Sequence, residues 1–141
     1  MAYNMLIVDD SFPMRSVIKK TIKASGFGTT EFFDAANGIE ALKILEDEWM
    51  DIVITDYNMP EMDGMELIRQ MKKNELFGSI PVLVITTEGS QKKVEEFITS
   101  GASGYIKKPF TPEFIREKLT EILGAPQDEE NIDDSDEGFD F

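Results

Sequence analysis

At 141 residues, 41% of them apolar and 30% charged, the chain is sized for one globular domain with a sizeable core plus any tail. A net charge of −14 argues against a nucleic-acid partner, because phosphate binding needs clustered Lys and Arg; without cysteine or histidine, any metal would be a hard cation on oxygen ligands. No apolar run approaches the ~20 residues of a membrane span, and no signal peptide precedes the first one, so a soluble cytoplasmic protein is expected.

The first apolar run, MLIV (5–8), reads as a strand that stops at Asp9-Asp10. Met14, Val17, Ile18, Thr21 and Ile22 follow at the i, i+3, i+4 spacing of a helix with one apolar face, and Gly26 stands where that helix should end. TTEFF (29–33) reads as a second strand. DIVIT (51–55) reads as a third, ending on Asp56 and followed by a turn at Pro60 and the pair Asp63-Gly64. Gly78 marks another expected helix stop before the fourth strand, IPVLVI (80–85), which meets Thr86-Thr87. Val94, Phe97 and Ile98 restart the helical spacing, and Gly101 closes it. GYI (104–106) is the fifth strand and runs into Lys107-Lys108-Pro109. Thr111 as N-cap and Pro112 at the first helical position open a last helix through Ile115, Leu119 and Ile122.

Five strand–helix pairs with short connections predict an α/β fold with a parallel sheet and helices on both faces. The charge is unevenly spread over it. Residues 1–123 carry 20 acids and 14 bases, a balance of −6, whereas 124–141 carry the other 8 acids and no base. That segment holds only Ile132, Phe139 and Phe141 as large apolar residues, too few to offset its ordering entropy. A globular domain at 1–123 and a disordered acidic tail at 124–141 are therefore expected. The sharper alternative has EGFDF docking on a basic groove of a partner or of the domain itself.

In an open parallel sheet, ligands bind beyond the carboxyl ends of the strands, where the strand order reverses. The unusual residues of this chain all fall at strand ends: Asp9, Asp10, Asp56, Thr86 and Lys108. Singly, each has an ordinary role. Asp10 or Ser11 could N-cap a helix, Asp56 or Asn58 could form an Asx-turn, Thr86 could be a strand-end hydroxyl, and Lys108 a solvated lysine. Together they carry a cost, since each pair of neighbouring carboxylates repels by roughly 1 to 4 kcal/mol depending on the local dielectric. A divalent cation removes that cost, and oxygen ligands with room for water suit Mg²⁺. Metal, carboxylate, ammonium and hydroxyl are the parts of phosphoryl transfer, with Asp56, at the centre of the sheet, as the best nucleophile.

Asp9-Asp10, ITDYNMPEMDG with Asp56, LVITTE with Thr86 and GASGYIKKPF with Lys108 resemble, in order, the signature of the response-regulator receiver family. The likeness spans residues 4 to about 123 and is nearest to single-domain chemotaxis members. It implies a flavodoxin-like doubly wound (βα)5 sandwich of strand order 2-1-3-4-5. It implies that Asp56 accepts a phosphoryl group from a sensor histidine kinase. Asp10, Asp56 and the backbone carbonyl of Asn58 would ligate Mg²⁺, with Asp9 acting through water. Lys108, before an expected cis Pro109, would pair with the phosphoryl oxygens. Thr86 would move to bond that group and Tyr105 would swing into the vacated space, reshaping a face of the fourth helix, fifth strand and fifth helix that includes Val94. Asn58 and Glu88 would tune hydrolysis. The resemblance further implies a monomer that self-phosphorylates and autodephosphorylates without being a conventional enzyme. Its partners would be a kinase, a protein target such as the flagellar motor switch, and a phosphatase, with no nucleic acid and no membrane.

Other readings remain open at this level. A stand-alone receiver could serve another phosphorelay. A metal-dependent phosphatase with an aspartyl nucleophile would carry a D-x-D pair on the first strand and a cap, whereas here the acids are adjacent and no insertion is long enough. A flavin site would need a hydroxyl- and glycine-rich first loop, and DDSFPMR would repel a phosphate.

Overall fold

The structure, a computed structural model, describes residues 3–28 and 30–124. Five strands alternate with five helices: β1 (Asn4–Val8), α1 (Phe12–Ala24), β2 (Glu31–Ala35), α2 (Gly38–Asp47), β3 (Ile52–Thr55), α3 (Gly64–Lys73), β4 (Val82–Thr86), α4 (Gln91–Ser100), β5 (Gly104–Lys107) and α5 (Pro112–Leu123). All pairings are parallel, in the order β2-β1-β3-β4-β5. This is the doubly wound sandwich that the resemblance implied.

The alternation of side chains along each inner strand divides the core into two layers. Leu6, Val8, Val53, Val82 and Val84 face one side, packed with Leu67, Ile68, Met71 and Phe97. Met5, Ile7, Ile52, Ile54, Leu83 and Ile85 face the other, with Ile18, Ile22, Ile115 and Leu119. β3 and β4 are buried along their whole length, which explains why they read as unbroken apolar runs rather than as alternating ones.

Helix starts follow local chemistry. Ser11, Asn37, Asp63, Ser90 and Thr111 each accept a hydrogen bond from a backbone N–H of the first helical turn. Ser11, not Asp10, caps α1, and Thr111 caps α5 as the sequence suggested. At the C-terminal ends, Gly26 and Gly101 adopt positive φ as helix stops require.

Three expectations are corrected. α3 stops at Lys73 with Asn74 as cap, so Gly78 belongs to the following turn, where its N–H bonds to the Asn74 carbonyl. β2 lies at Glu31–Ala35 rather than 29–33. Register against β1 places Asp34 opposite Ile7, and Arg15 and Lys19 neutralise that carboxylate at 2.9 and 2.7 Å, so a charge just past the expected bounds sits inside the strand. Finally, Val17 and Ile98 keep their helical register yet are about half exposed, because each lies at the border of its apolar stripe. The expected tail lies outside the described residues except for Gly124, which caps α5. No described helix is long and apolar enough to cross a membrane.

Candidate phosphoryl-transfer site

Strand register builds the site. Val8 pairs with Thr55 and the Asp56 N–H bonds to the Val8 carbonyl at 3.0 Å, so Asp9 and Asp56 leave neighbouring strands side by side. On the other side Thr86 pairs with Lys107, and the Lys108 N–H bonds to the Thr86 carbonyl at 2.9 Å. The next bond, Lys108–Pro109, is cis. The Lys108 ammonium then lies 3.3 Å from Asp9 Oδ2 and 3.4 Å from Asp56 Oδ2.

Each carboxylate has a distinct setting. Asp9 is 1% exposed and accepts from the Ser11 N–H at 2.9 Å. Burial pushes its carboxyl above the usual aspartate range, against the pull of the Ser11 N–H and Lys108, and the nearby Asp56 charge adds to the rise. Asp56 is half-buried; its Oδ1 accepts from the Tyr57 N–H at 2.7 Å. Asp10 is exposed. Ligand oxygens of the three lie within 4.8 Å of one another. One ammonium against three clustered carboxylates leaves an excess of negative charge, and a hard divalent cation matches this oxygen-only donor set.

The backbone around the site is tightly held. The Asp9 carbonyl accepts from the Arg15 guanidinium, which Asp34 anchors in turn, tying the loop after β1 to the edge of the sheet. Gly64 opens α3 directly beneath Asp56, its N–H bonded to the Tyr57 carbonyl at 2.9 Å. A Cβ at this position would collide with the Asp56 carbonyl oxygen and lie 3.1 Å from the Tyr57 Cα. Because the obstacle is backbone, Gly64→Ala should cost about 1–3 kcal/mol and displace Asp56. A lowered urea midpoint together with weakened Mg²⁺ affinity is the expected result.

Residues 5–120 match the family model of the response regulator receiver domain. This chain belongs to the receiver family. It is 38% identical over 122 residues to the chemotaxis protein CheY homolog of Campylobacter jejuni, covering 86% of this chain and 92% of the relative. It is 40% identical over 122 residues to the chemotaxis protein CheY1 of Helicobacter pylori, covering 86% and 97%. Among solved structures, the Vibrio cholerae chemotaxis protein CheY4 superposes with a TM-score of 0.78 at 34% identity, covering 87% of this receiver and all of that chain.

The remaining positions form a second group beside the carboxylates. Thr86 is fully buried, its hydroxyl accepting from the Glu88 N–H at 3.3 Å. Tyr105 is half-buried, stacked on Phe97 at 6.1 Å between centroids, and its hydroxyl is buried without a hydrogen-bond partner. Burial and the Glu88 charge raise its phenol above the ordinary range. That hydroxyl lies over Gly89, where a Cβ would come within 2.5 Å. Val94 and Glu88 are half-buried on the same side, and Asn58 is exposed in the loop after β3. Phe97 is fully buried, the packing role that its helical spacing indicates.

Sequence reasoning missed Tyr57 and Lys93. Tyr57 packs edge-on against Phe97 at 5.5 Å, and Lys93 lies 4.8 Å from the Tyr57 ring centroid and 3.3 Å from its hydroxyl. This hydroxyl and Glu96 hold the Lys93 ammonium above its usual range. The receiver thus has a continuous aromatic row, Tyr57–Phe97–Tyr105, from the residue after Asp56 to the α4–β5 face. The four-residue spacing of Lys93 and Phe97 on one helix face was the available signal.

Proposed function

We propose that this receiver is a chemotaxis-type response regulator, switched by phosphorylation of Asp56 by a sensor histidine kinase. The observation that carries the reading is the cluster of Asp9, Asp10 and Asp56 at the carboxyl ends of adjacent strands, with Asp9 and Asp56 both paired to the Lys108 ammonium. Asp56 Oδ2, the oxygen not engaged by the Tyr57 N–H, attacks the phosphorus of the phosphohistidine. An O–P bond forms as the P–N bond breaks, and the imidazole leaves with the electron pair and takes up a proton.

Asp10, Asp56 and the Asn58 carbonyl would hold Mg²⁺, with Asp9 acting through water, and the bound cation would supply charge neutralisation for the phosphoryl oxygens. Lys108 exchanges its carboxylate partners for one of those oxygens. Thr86 gives up the Glu88 N–H and donates its hydroxyl to another. Tyr105 follows into the space released, and its unpartnered hydroxyl supports that mobility, since the present packing leaves a polar group unsatisfied. The α4–β5–α5 face, including Val94, changes shape as a result. Asn58 and Glu88, flanking the site, govern access of the hydrolytic water.

The chemotaxis assignment is supported by the curated relatives, which are chemotaxis proteins over nearly their whole length. The corresponding target is the flagellar motor switch. Phosphorylated protein should bind an isolated motor-switch protein at least tenfold tighter than unphosphorylated protein, roughly 1.4 kcal/mol. Equal affinities would remove the motor reading and leave the receiver chemistry standing. In the same assay Thr86→Ala should still incorporate phosphate yet lose most of that gain. A Thr86→Ala variant that switches normally would rule out the Thr86–Tyr105 step.

A further inference from the structure

α1 is the most basic element of an acidic protein. It carries Arg15, Lys19, Lys20 and Lys23 and no acid. Arg15 and Lys19 are paired with Asp34, but Lys20 and Lys23 are exposed. Ser16, Lys19, Lys20, Lys23 and Phe32 line a shallow groove of about 360 Å³ between α1 and the edge strand β2. Lys23 lies 5.8 Å from the Phe32 ring centroid, so the groove combines ammonium groups with a half-buried aromatic face. A site of that composition suits an acidic segment with aromatic side chains.

The chain itself contains one. Residues 125–141 hold eight acids, no base and the aromatics Phe139 and Phe141, which close the sequence DDSDEGFDF. They also start in the right place. The Tyr3 hydroxyl bonds to the Leu123 carbonyl at 3.1 Å, the Tyr3 and Phe27 rings lie 5.9 Å apart, and Arg116 bonds to the Ser25 carbonyl at 2.9 Å. The end of α5 is therefore beside the end of α1, two residues beyond Lys23. Glu31, which opens β2, bonds to the Tyr3 carbonyl at 2.8 Å, so Phe32 sits at the same end of the molecule. A 17-residue extension reaches up to about 56 Å, several times the ~12 Å width of a helix.

We propose that residues 133–141 dock in cis on the Lys19–Lys20–Lys23–Phe32 groove, carboxylates against the lysines and Phe139 or Phe141 against Phe32. A short covalent connection within one chain gives an effective concentration of order millimolar, which favours this segment over a second copy at ordinary protein concentrations. The docked segment covers the basic side of α1 without contacting Asp56, and an acidic partner approaching that side must displace it.

The absence of native cysteine makes the test direct. A nitroxide on Ser135→Cys in the full chain, read by amide NMR, should selectively broaden Lys19, Lys20, Lys23 and Phe32 at low salt. Intensity should return near 1 M salt, where the screening length falls to about 3 Å, and in Phe139→Ala/Phe141→Ala or Lys20→Glu/Lys23→Glu backgrounds. Uniform broadening, broadening centred on another surface, or insensitivity to both double variants would overturn the proposal. So would broadening that appears only between labelled and unlabelled molecules, which would assign the groove to a second copy.

Discussion

Asp56→Asn is expected to reduce phosphoryl incorporation to background when the protein is incubated with Mg²⁺ and a small acyl-phosphate donor. The substitution retains size and the acceptor for the Tyr57 N–H, but it replaces the nucleophilic oxygen with an amide that cannot form the acyl phosphate. It also removes one of three negative charges that would hold the metal, so attack and charge neutralisation are lost together. The unmodified protein should take up one phosphoryl group per chain. Asp9 and Asp10 offer no substitute: Asp9 is buried against Lys108 and the Ser11 N–H, and Asp10 is exposed to solvent. Full labelling of Asp56→Asn, or sustained turnover of general phosphate esters by the unmodified protein, would refute the receiver mechanism proposed for these residues.

Asp9→Asn should have two effects of opposite sign. Without Mg²⁺ the variant should be more stable by about 1 kcal/mol, because a buried charge and its repulsion with Asp56 disappear while Lys108 still pairs with Asp56 and the Ser11 N–H keeps an acceptor. With Mg²⁺ the unmodified protein should gain more stability than the variant, because the variant has lost part of the charge that binds the cation. The pH dependence follows from the direction of the Asp9 shift. Its folded-state pKa lies above the unfolded value of 3.8, so the folded protein binds the proton more readily and ionisation destabilises it. The metal-free advantage of the variant should be complete above the raised pKa and vanish as pH falls below 3.8. Urea unfolding with and without Mg²⁺ across that range measures both effects. A metal-free variant less stable than the unmodified protein at neutral pH would show that Lys108 more than compensates Asp9.

Much of the site was legible because strand ends are local features. Runs such as IVIT and VLVIT declare buried strands, and whatever follows a buried parallel strand lies at the binding edge of the sheet. Asp9, Asp56, Thr86 and Lys108 were placed by that rule alone. β2 was shifted because the ion pairs that make Asp34 tolerable inside a strand come from a helix fifteen or more residues earlier. The row Tyr57–Phe97–Tyr105 was missed for a related reason: its members come from three different elements.

The amino-acid sequence by itself determined the parallel α/β class, the capped helix start at Thr111, and the acidic residues gathered at the strand ends. These depend on side-chain periodicity, backbone capping and charge count, all of which act over a few residues. Only the tertiary structure decided that one ammonium bridges Asp9 and Asp56, that Asp9 rather than Asp10 is the buried acid, and that Lys93 grips Tyr57. The lysines of α1 likewise share a groove with Phe32 only because β2 pairs outside β1. Register between strands and the packing of helices on two faces fix those contacts, and both depend on residues far apart in the chain.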